Sequence, residues 1–287
     1  MTELWQQVTL LALGIVQGLT EVLPISSSGH LVLVNKLFSV DSVNLPVAVA
    51  LHGGSFLAIL LWFRRDLYAL WQNFSLPWRE KRWRRWPKEA NGKARLHEAR
   101  LPYYLAISLI PVAIEGLVLK DTVEAVFSRS EWVPAFLAVN GLIILATARW
   151  TRGERRLDEL KLWEYVLIGI IQGFGVLPGI SRLGMALCAG LGRHLNWYEA
   201  MRLTFILALP VIAGAFLLEV KQLAPLFGSL SAIIGLIVGT LCAFFFSLLG
   251  LKVFTAQNLL ERRTLTFFGF YCFLLGVFTF TYIQVGL

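Results

Sequence analysis

Six polar residues crowd into the 14 positions from 17 to 30: Gln17, Glu21, Ser26, Ser27, Ser28 and His30. Gln17 and Glu21 stand four apart, so a helix puts them on one face. Pro24 ends that helix, a turn of small hydroxyl residues follows, and Gly29 lets backbone approach closely. His30 begins the next helix. A carboxylate, hydroxyls and an imidazole so placed could supply a nucleophile, a proton-transfer group and a metal ligand.

Ser181 and Arg182 form a second constellation. Both lie in an apolar stretch, where a charge is costly and by default marks function. Arginine there wants an anion, and its planar fork suits phosphate. The backbone N–H groups from Gly179 to Gly184, opening a helix, would help to hold it. Together the residues describe a phosphate site at membrane depth. Other polar residues read more plainly. Ser28 serves close packing, His52 is a packed core histidine, and Glu21 could pair structurally with Arg182. Glu115 and Glu219 reach an interface, while His97 and His194 are solvated.

The elements that must position these groups are membrane helices. Of the 287 residues, 57% are hydrophobic and only 15% charged, with a mean hydropathy of +0.67. Soluble domains carry about 25% charged residues. The net charge of +8 does not imply nucleic acid, because the basic residues sit between apolar segments. Cys188, Cys242 and Cys272 match no metal spacing and read as buried small hydrophobes. The first apolar segment carries Glu3 and no basic flank, so it is expected to be retained rather than cleaved.

Six apolar segments are long enough to be read as spans. Two further pairs of shorter ones, each broken by a Pro/Gly/Ser stretch, read as re-entrant helical hairpins. The expected fold is therefore all-α and polytopic, one membrane domain over 1–287. The basic segments 64–100 and 149–161 are expected to be cytoplasmic loops. Under that orientation 21 Lys and Arg lie on the cytoplasmic side and 4 outside. Only Arg182 belongs to no loop.

The chain also repeats itself. Residues 14–29 (GIVQGLTEVLPISSSG) and 169–184 (GIIQGFGVLPGISRLG) are identical at 10 of 15 paired positions when each takes a single gap. The first hairpin opens from outside and the second from the cytoplasm. The halves, about 1–148 and 163–287, are thus expected to be inverted copies whose two turns meet near the midplane.

The stretch Gly18–His30, GLTEVLPISSSGH, resembles the signature of the undecaprenyl pyrophosphate phosphatase family, of the bacitracin-resistance type. Gln17 and Glu21 match its Glu/Gln-x-x-x-Glu motif, and Pro178–Gly184, PGISRLG, resembles its Pro-Gly-x-Ser-Arg-Ser-Gly-x-Thr motif. The likeness extends over essentially the whole chain. It implies hydrolysis of undecaprenyl pyrophosphate to the monophosphate, which recycles the lipid carrier for cell-wall synthesis. It further implies a divalent cation, Mg or Ca, and a multi-pass protein of the bacterial inner membrane with its active site facing the periplasm. The catalytic residues would be Gln17, Glu21, Ser27 and His30, with Glu21 also on the metal. Ser26, Gly179, Ser181 and Arg182 would bind substrate. Leu183 stands where the second motif has Ser, Ala186 where it has Thr, and Tyr271–Cys272 where the family often has Tyr-Arg.

Either His30 or Ser27 would attack or activate water, and the sequence leaves that choice open. The partners expected are a polyprenyl pyrophosphate lipid and the membrane, with a homodimer as a further state and no nucleic acid. A competing reading is a transporter that carries the lipid phosphate across the membrane, which needs Arg182 but no nucleophile. The basic asymmetry carries a topology test. Single-cysteine labelling of intact cells is expected to reach positions 121–131 with an impermeant reagent. Labelling of position 90 from outside would overturn the orientation.

Overall fold

A computed structural model describes residues 3–38, 45–79, 90–129, 131–149, 153–219, 229–256 and 261–285. These residues are helical almost throughout, with no strand among them beyond an isolated bridge between Arg155 and Leu195. In chain order the helices are α1 (Glu3–Glu21), α2 (Ser27–Phe38), α3 (Leu45–Trp62), α4 (Arg64–Arg79), α5 (Ala90–Val118) and α6 (Lys120–Arg129). Then come α7 (Val133–Thr147), α8 (Leu162–Gly173), α9 (Arg182–Gly192), α10 (Trp197–Glu219), α11 (Leu230–Ala256) and α12 (Glu261–Val285).

Both interrupted pairs fold back on themselves. α1 stops at Glu21 ahead of Pro24, and α2 starts at Ser27. α8 runs into a 3-10 turn at Phe174–Val176, and α9 starts at Arg182. The serine before each second arm caps it in the same way. Ser26 Oγ accepts from Gly29 N at 3.3 Å, and Ser181 Oγ accepts from Gly184 N at 2.9 Å. Each satisfies one of the donors that a helix N-terminus leaves free.

Four helical stretches are long and apolar enough to cross a membrane: Arg100–Val118, Trp197–Leu218, Leu230–Thr255 and Arg262–Ile283. A fifth arises if the pair Val47–Trp62 and Arg64–Gln72, bent by 68°, counts as one. The expected span over Trp132–Ala148 is the 15-residue α7. At 1.5 Å per residue that is roughly 22 Å, short of a hydrocarbon core of ~30 Å.

Two segments expected to lie between spans contain helices. The basic segment 64–100 holds α4 and the start of α5. Leu67 and Leu70, three apart on α4, turn one face to the core while Tyr68 and Trp71 stay exposed, so periodicity overrides charge there. Between 121 and 131 lies α6, because Val126 and Phe127 are needed in the packing under the first hairpin. The segment 149–161 is pinned where it is described. Arg155 donates to both oxygens of Glu164 at 2.9 and 3.0 Å, and Arg193 Nε reaches the same carboxylate at 2.8 Å. Lys81, Arg82, Arg84, Arg85, Lys88, Arg152 and Lys221, on which the charge asymmetry also rests, lie outside the described residues, as do positions 1, 2, 286 and 287.

The two similar stretches also pack alike. α1 lies along α11 and α8 lies along α5, while α3 faces α10 and α7 faces α12. The matching glycines explain how close these helices come. A Cβ on Gly14 would run into the carbonyl oxygen of Gly239, and one on Gly169 into that of Ser108. Membrane helices gain little from apolar burial against each other, so such backbone approach supplies their attraction. Gly14→Val and Gly169→Val are each expected to cost at least about 1–3 kcal/mol, read as a lowered thermal midpoint in detergent. An unchanged midpoint in either would show that the helix pair can separate without penalty.

Candidate active site

The first hairpin delivers its carboxylate to the end of α1. Glu21 is 4% exposed, and a lone charge so deep would cost several kcal/mol. Three groups meet its Oε2. Gln17 Nε2, one turn earlier, donates at 2.9 Å. Ser27 Oγ donates in a very short hydrogen bond. His52 Nε2 stands 3.2 Å away. On the other side, Oε1 faces an Arg182 guanidinium nitrogen at 4.0 Å. Four separate helices, α1, α2, α3 and α9, thus supply one carboxylate and its partners.

His52 is not the packed core histidine that the sequence suggested. Its Nδ1 donates to the Ala48 carbonyl at 2.6 Å, so a bond from Nε2 to Glu21 puts a proton on each nitrogen and pairs an imidazolium with the carboxylate. No local motif announces it, since it lies 31 positions from Glu21 on a uniformly apolar helix. His30 is turned elsewhere. Its Nδ1 donates to the Ser26 carbonyl at 2.8 Å, which leaves Nε2 to accept from the Tyr271 hydroxyl at 2.8 Å. The two rings stack with centroids 5.7 Å apart. Both ring nitrogens are therefore occupied, and His30 holds the serine turn rather than touching Glu21.

Ser26 and Gly179 join the two turns. Ser26 adopts φ +67°, which favours glycine, and its Oγ accepts from Gly179 N at 3.1 Å as well as from Gly29 N. A non-glycine residue held there carries roughly 1–3 kcal/mol of strain. Gly179 itself has φ +103°, and a Cβ on it would meet Phe136 and the Val133 carbonyl at 2.7 Å. Asn140, on α7 and fully buried, completes the junction. Its Nδ2 donates to the Pro24 carbonyl at 3.1 Å and its Oδ1 accepts from Ser181 N at 3.0 Å. The sequence reading missed it, because a lone Asn in an apolar helix carries no spacing signal.

Two cavities meet at this junction. The smaller, of about 20 Å³, is lined by Glu21, Ser26, Ser27, Ser28, Ser181 and Arg182 among others. That is room for about one water. The larger, of about 590 Å³, has Ser28, His52 and Arg182 at one end and is otherwise walled mainly by apolar residues of α5, α6 and α10. Ser28, read from sequence as packing, faces both. Leu183 lines the small cavity, and Ala186, one turn on along α9, is buried.

The chain offers a divalent cation few ligands. Among the described residues no three His, Cys, Asp or Glu cluster for a metal. Glu21 supplies a carboxylate, and Gln17 Oε1, buried without a partner, supplies an amide oxygen. A hard cation accepts such oxygens when phosphate and water complete its shell. The donor set fits an ion that arrives with a phosphate ligand.

The family model described as bacitracin resistance protein BacA matches residues 10–278. The undecaprenyl-diphosphatase of Methanobrevibacter smithii is 34% identical over 271 residues, covering 93% of this chain and 94% of that protein. Undecaprenyl-diphosphatase 1 of Shouchella clausii is 32% identical, covering 94% of each. That of Korarchaeum cryptofilum is 35% identical, covering 93% of this chain and 95% of the relative.

Asn140→Ala would strand the Pro24 carbonyl and the Ser181 N–H together. At about 1–3 kcal/mol for each buried group left unpaired, the variant is expected to unfold several degrees lower in detergent. A wild-type midpoint would mean that the two turns are held by other contacts.

Proposed function

This chain belongs to the bacitracin resistance protein BacA family, and we propose that it hydrolyses undecaprenyl pyrophosphate to undecaprenyl phosphate and inorganic phosphate, recycling the carrier for cell-wall synthesis. One observation carries this reading: a carboxylate, a hydroxyl and a guanidinium converge on a small polar cavity, and the same Arg182 stands at the polar end of the large, mainly apolar one. A pyrophosphate on a prenyl tail has that same division. The transporter reading is not favoured, since it gives the Ser27–Glu21 hydrogen bond nothing to do.

Glu21 Oε2 is poised to take the Ser27 proton as Oγ attacks the terminal phosphorus. The bond from that phosphorus to the bridging oxygen breaks, and the prenyl monophosphate leaves with the proton, which Glu21 passes to it. Water then cleaves the phosphoserine, taking a hydroxyl to phosphorus and returning a proton to Ser27. Arg182 balances charge on the non-bridging oxygens, where a fixed cation in a dry site acts strongly. Gln17 and His52 keep the carboxylate aimed. His30 supports the turn through Ser26, whose hydroxyl, with Ser181 and Arg182, borders the phosphate, while the Gly179 N–H, expected on the substrate, is taken by Ser26 Oγ and joins the two turns instead. A divalent cation, Mg or Ca, would be held by Glu21 and Gln17 and would supply further charge neutralisation. A second reading has water attack directly from the small cavity, with Ser27 and Glu21 orienting it, and the 20 Å³ size supports it.

Around this centre we infer six spans and two re-entrant hairpins in inverted repeats, in the bacterial inner membrane, with the site open to the periplasm. The parallel packing of α1 on α11 and α8 on α5 supports that arrangement. A homodimer is part of the same proposal.

The test is phosphate release from undecaprenyl pyrophosphate by purified protein. Release is expected to stop with chelator and return with Mg or Ca. Glu21→Gln and Ser27→Ala should each lower turnover by at least about 10²-fold. Arg182→Lys, which keeps charge but loses the fork, should fall less than Arg182→Ala. Acid-quenched labelled phosphate on Ser27 favours the covalent route, and its absence in an active enzyme favours direct attack. Lipid phosphate movement across vesicles without any release would overturn the reading in favour of transport.

A further inference from the structure

Most described glycines of this chain are spaces already filled by a neighbouring helix. A Cβ on Gly14, Gly54, Gly141, Gly169 or Gly276 would collide with backbone. Three glycines behave oppositely, with no described atom within 4 Å of an added Cβ: Gly53, Gly116 and Gly214. Gly116 on α5 and Gly214 on α10 both line the 590 Å³ cavity, whereas Gly53 does not. Glycine is a poor helix former, roughly 1 kcal/mol worse than alanine. No helix contact requires it at these two positions, so what the two residues provide is room.

That room has a definite place. Along α5 the cavity face runs through Leu109, Val112, Ala113, Gly116 and Leu117, the spacing of one helical stripe. Pro210, Gly214 and Leu218 of α10 form the opposite wall, and His52 and Arg182 close the polar end. At ~30 Å³ per heavy atom, a cavity of 590 Å³ takes about 20 of them. An undecaprenyl tail is far longer than that, and a geranylgeranyl tail is about that size.

We propose that Gly116 and Gly214 determine specificity for the prenyl chain: they keep open the space for the isoprene units that follow the first, and units beyond the cavity go unread. The proposal rests on the phosphatase reading above. It makes efficiency rise with tail length until the cavity is full and then level off. Leucine at either position would occupy about four carbons of this space, close to one isoprene unit. Hydrophobic pockets lose about 10-fold or more per misplaced methylene.

The experiment measures kcat/KM for phosphate release from dimethylallyl, geranylgeranyl and undecaprenyl pyrophosphate. It uses the full-length wild type, Gly116→Ala, Gly116→Leu, Gly214→Leu and the double leucine variant. Wild type should handle the two long substrates alike and both far better than dimethylallyl. The double variant should lose at least about 10-fold on both long substrates and change by less than about threefold on dimethylallyl, with Gly116→Ala between. Retained dimethylallyl activity shows that the catalytic groups are intact. An unchanged chain-length profile in the double variant overturns the proposal and leaves the phosphatase reading standing. An equal loss on all three substrates also overturns it, making the glycines structural. No release from any substrate by wild type defeats the phosphatase reading itself.

Discussion

An ionised carboxylate cannot stay in an apolar interior alone, and the burial of Glu21 sets the terms for everything near it. Its neighbours come from four helices. Removing any one would leave charge or a donor unpaired at a depth where water cannot compensate. The hairpins, the bend after α3 and the crossing of α7 over both turns can be understood as the scaffold that this one charge demands. It also explains why a histidine with its far nitrogen tied to backbone stands on α3: a ring fixed at Nδ1 can present only Nε2 to the carboxylate.

What could be read from the sequence was local. Gln17 and Glu21 declare a shared helix face by their spacing, the serine turn declares itself by composition, and Arg182 stands out because no loop explains it. All three readings agree with where the structure puts these residues. His52 and Asn140 were not legible, because each contributes across a large sequence separation from an apolar helix without flanking signal. Charge counting registers only part of such a segment. It treats 64–100 as one loop, yet a run rich in arginine can still carry Leu67 and Leu70 at helical spacing and pack. In α7 the apolar segment read as a span forms a helix of 15 residues.

Small residues serve two opposite ends in this protein. Where α1 meets α11 and α8 meets α5, glycine removes a side chain so that backbones can touch. Along the cavity it removes a side chain so that nothing touches. The first use supplies attraction between helices that lipid would otherwise solvate equally well. The second leaves a void that the chain could have filled, which makes sense only if something else occupies it.

The two turns are related in sequence, yet they are no longer equivalent. Ser27 and Arg182 hold matching positions at the head of their helices, and Gly175 stands opposite Glu21. A Cβ on Gly175 would press into the backbone of Arg182. The half that provides the cation therefore cannot also grow a carboxylate, and the half that provides the carboxylate has a serine where the cation would stand. Each copy carries what the other lacks. Neither turn can therefore assemble the Glu21–Arg182 pair alone, and a side chain at position 175 is sterically closed.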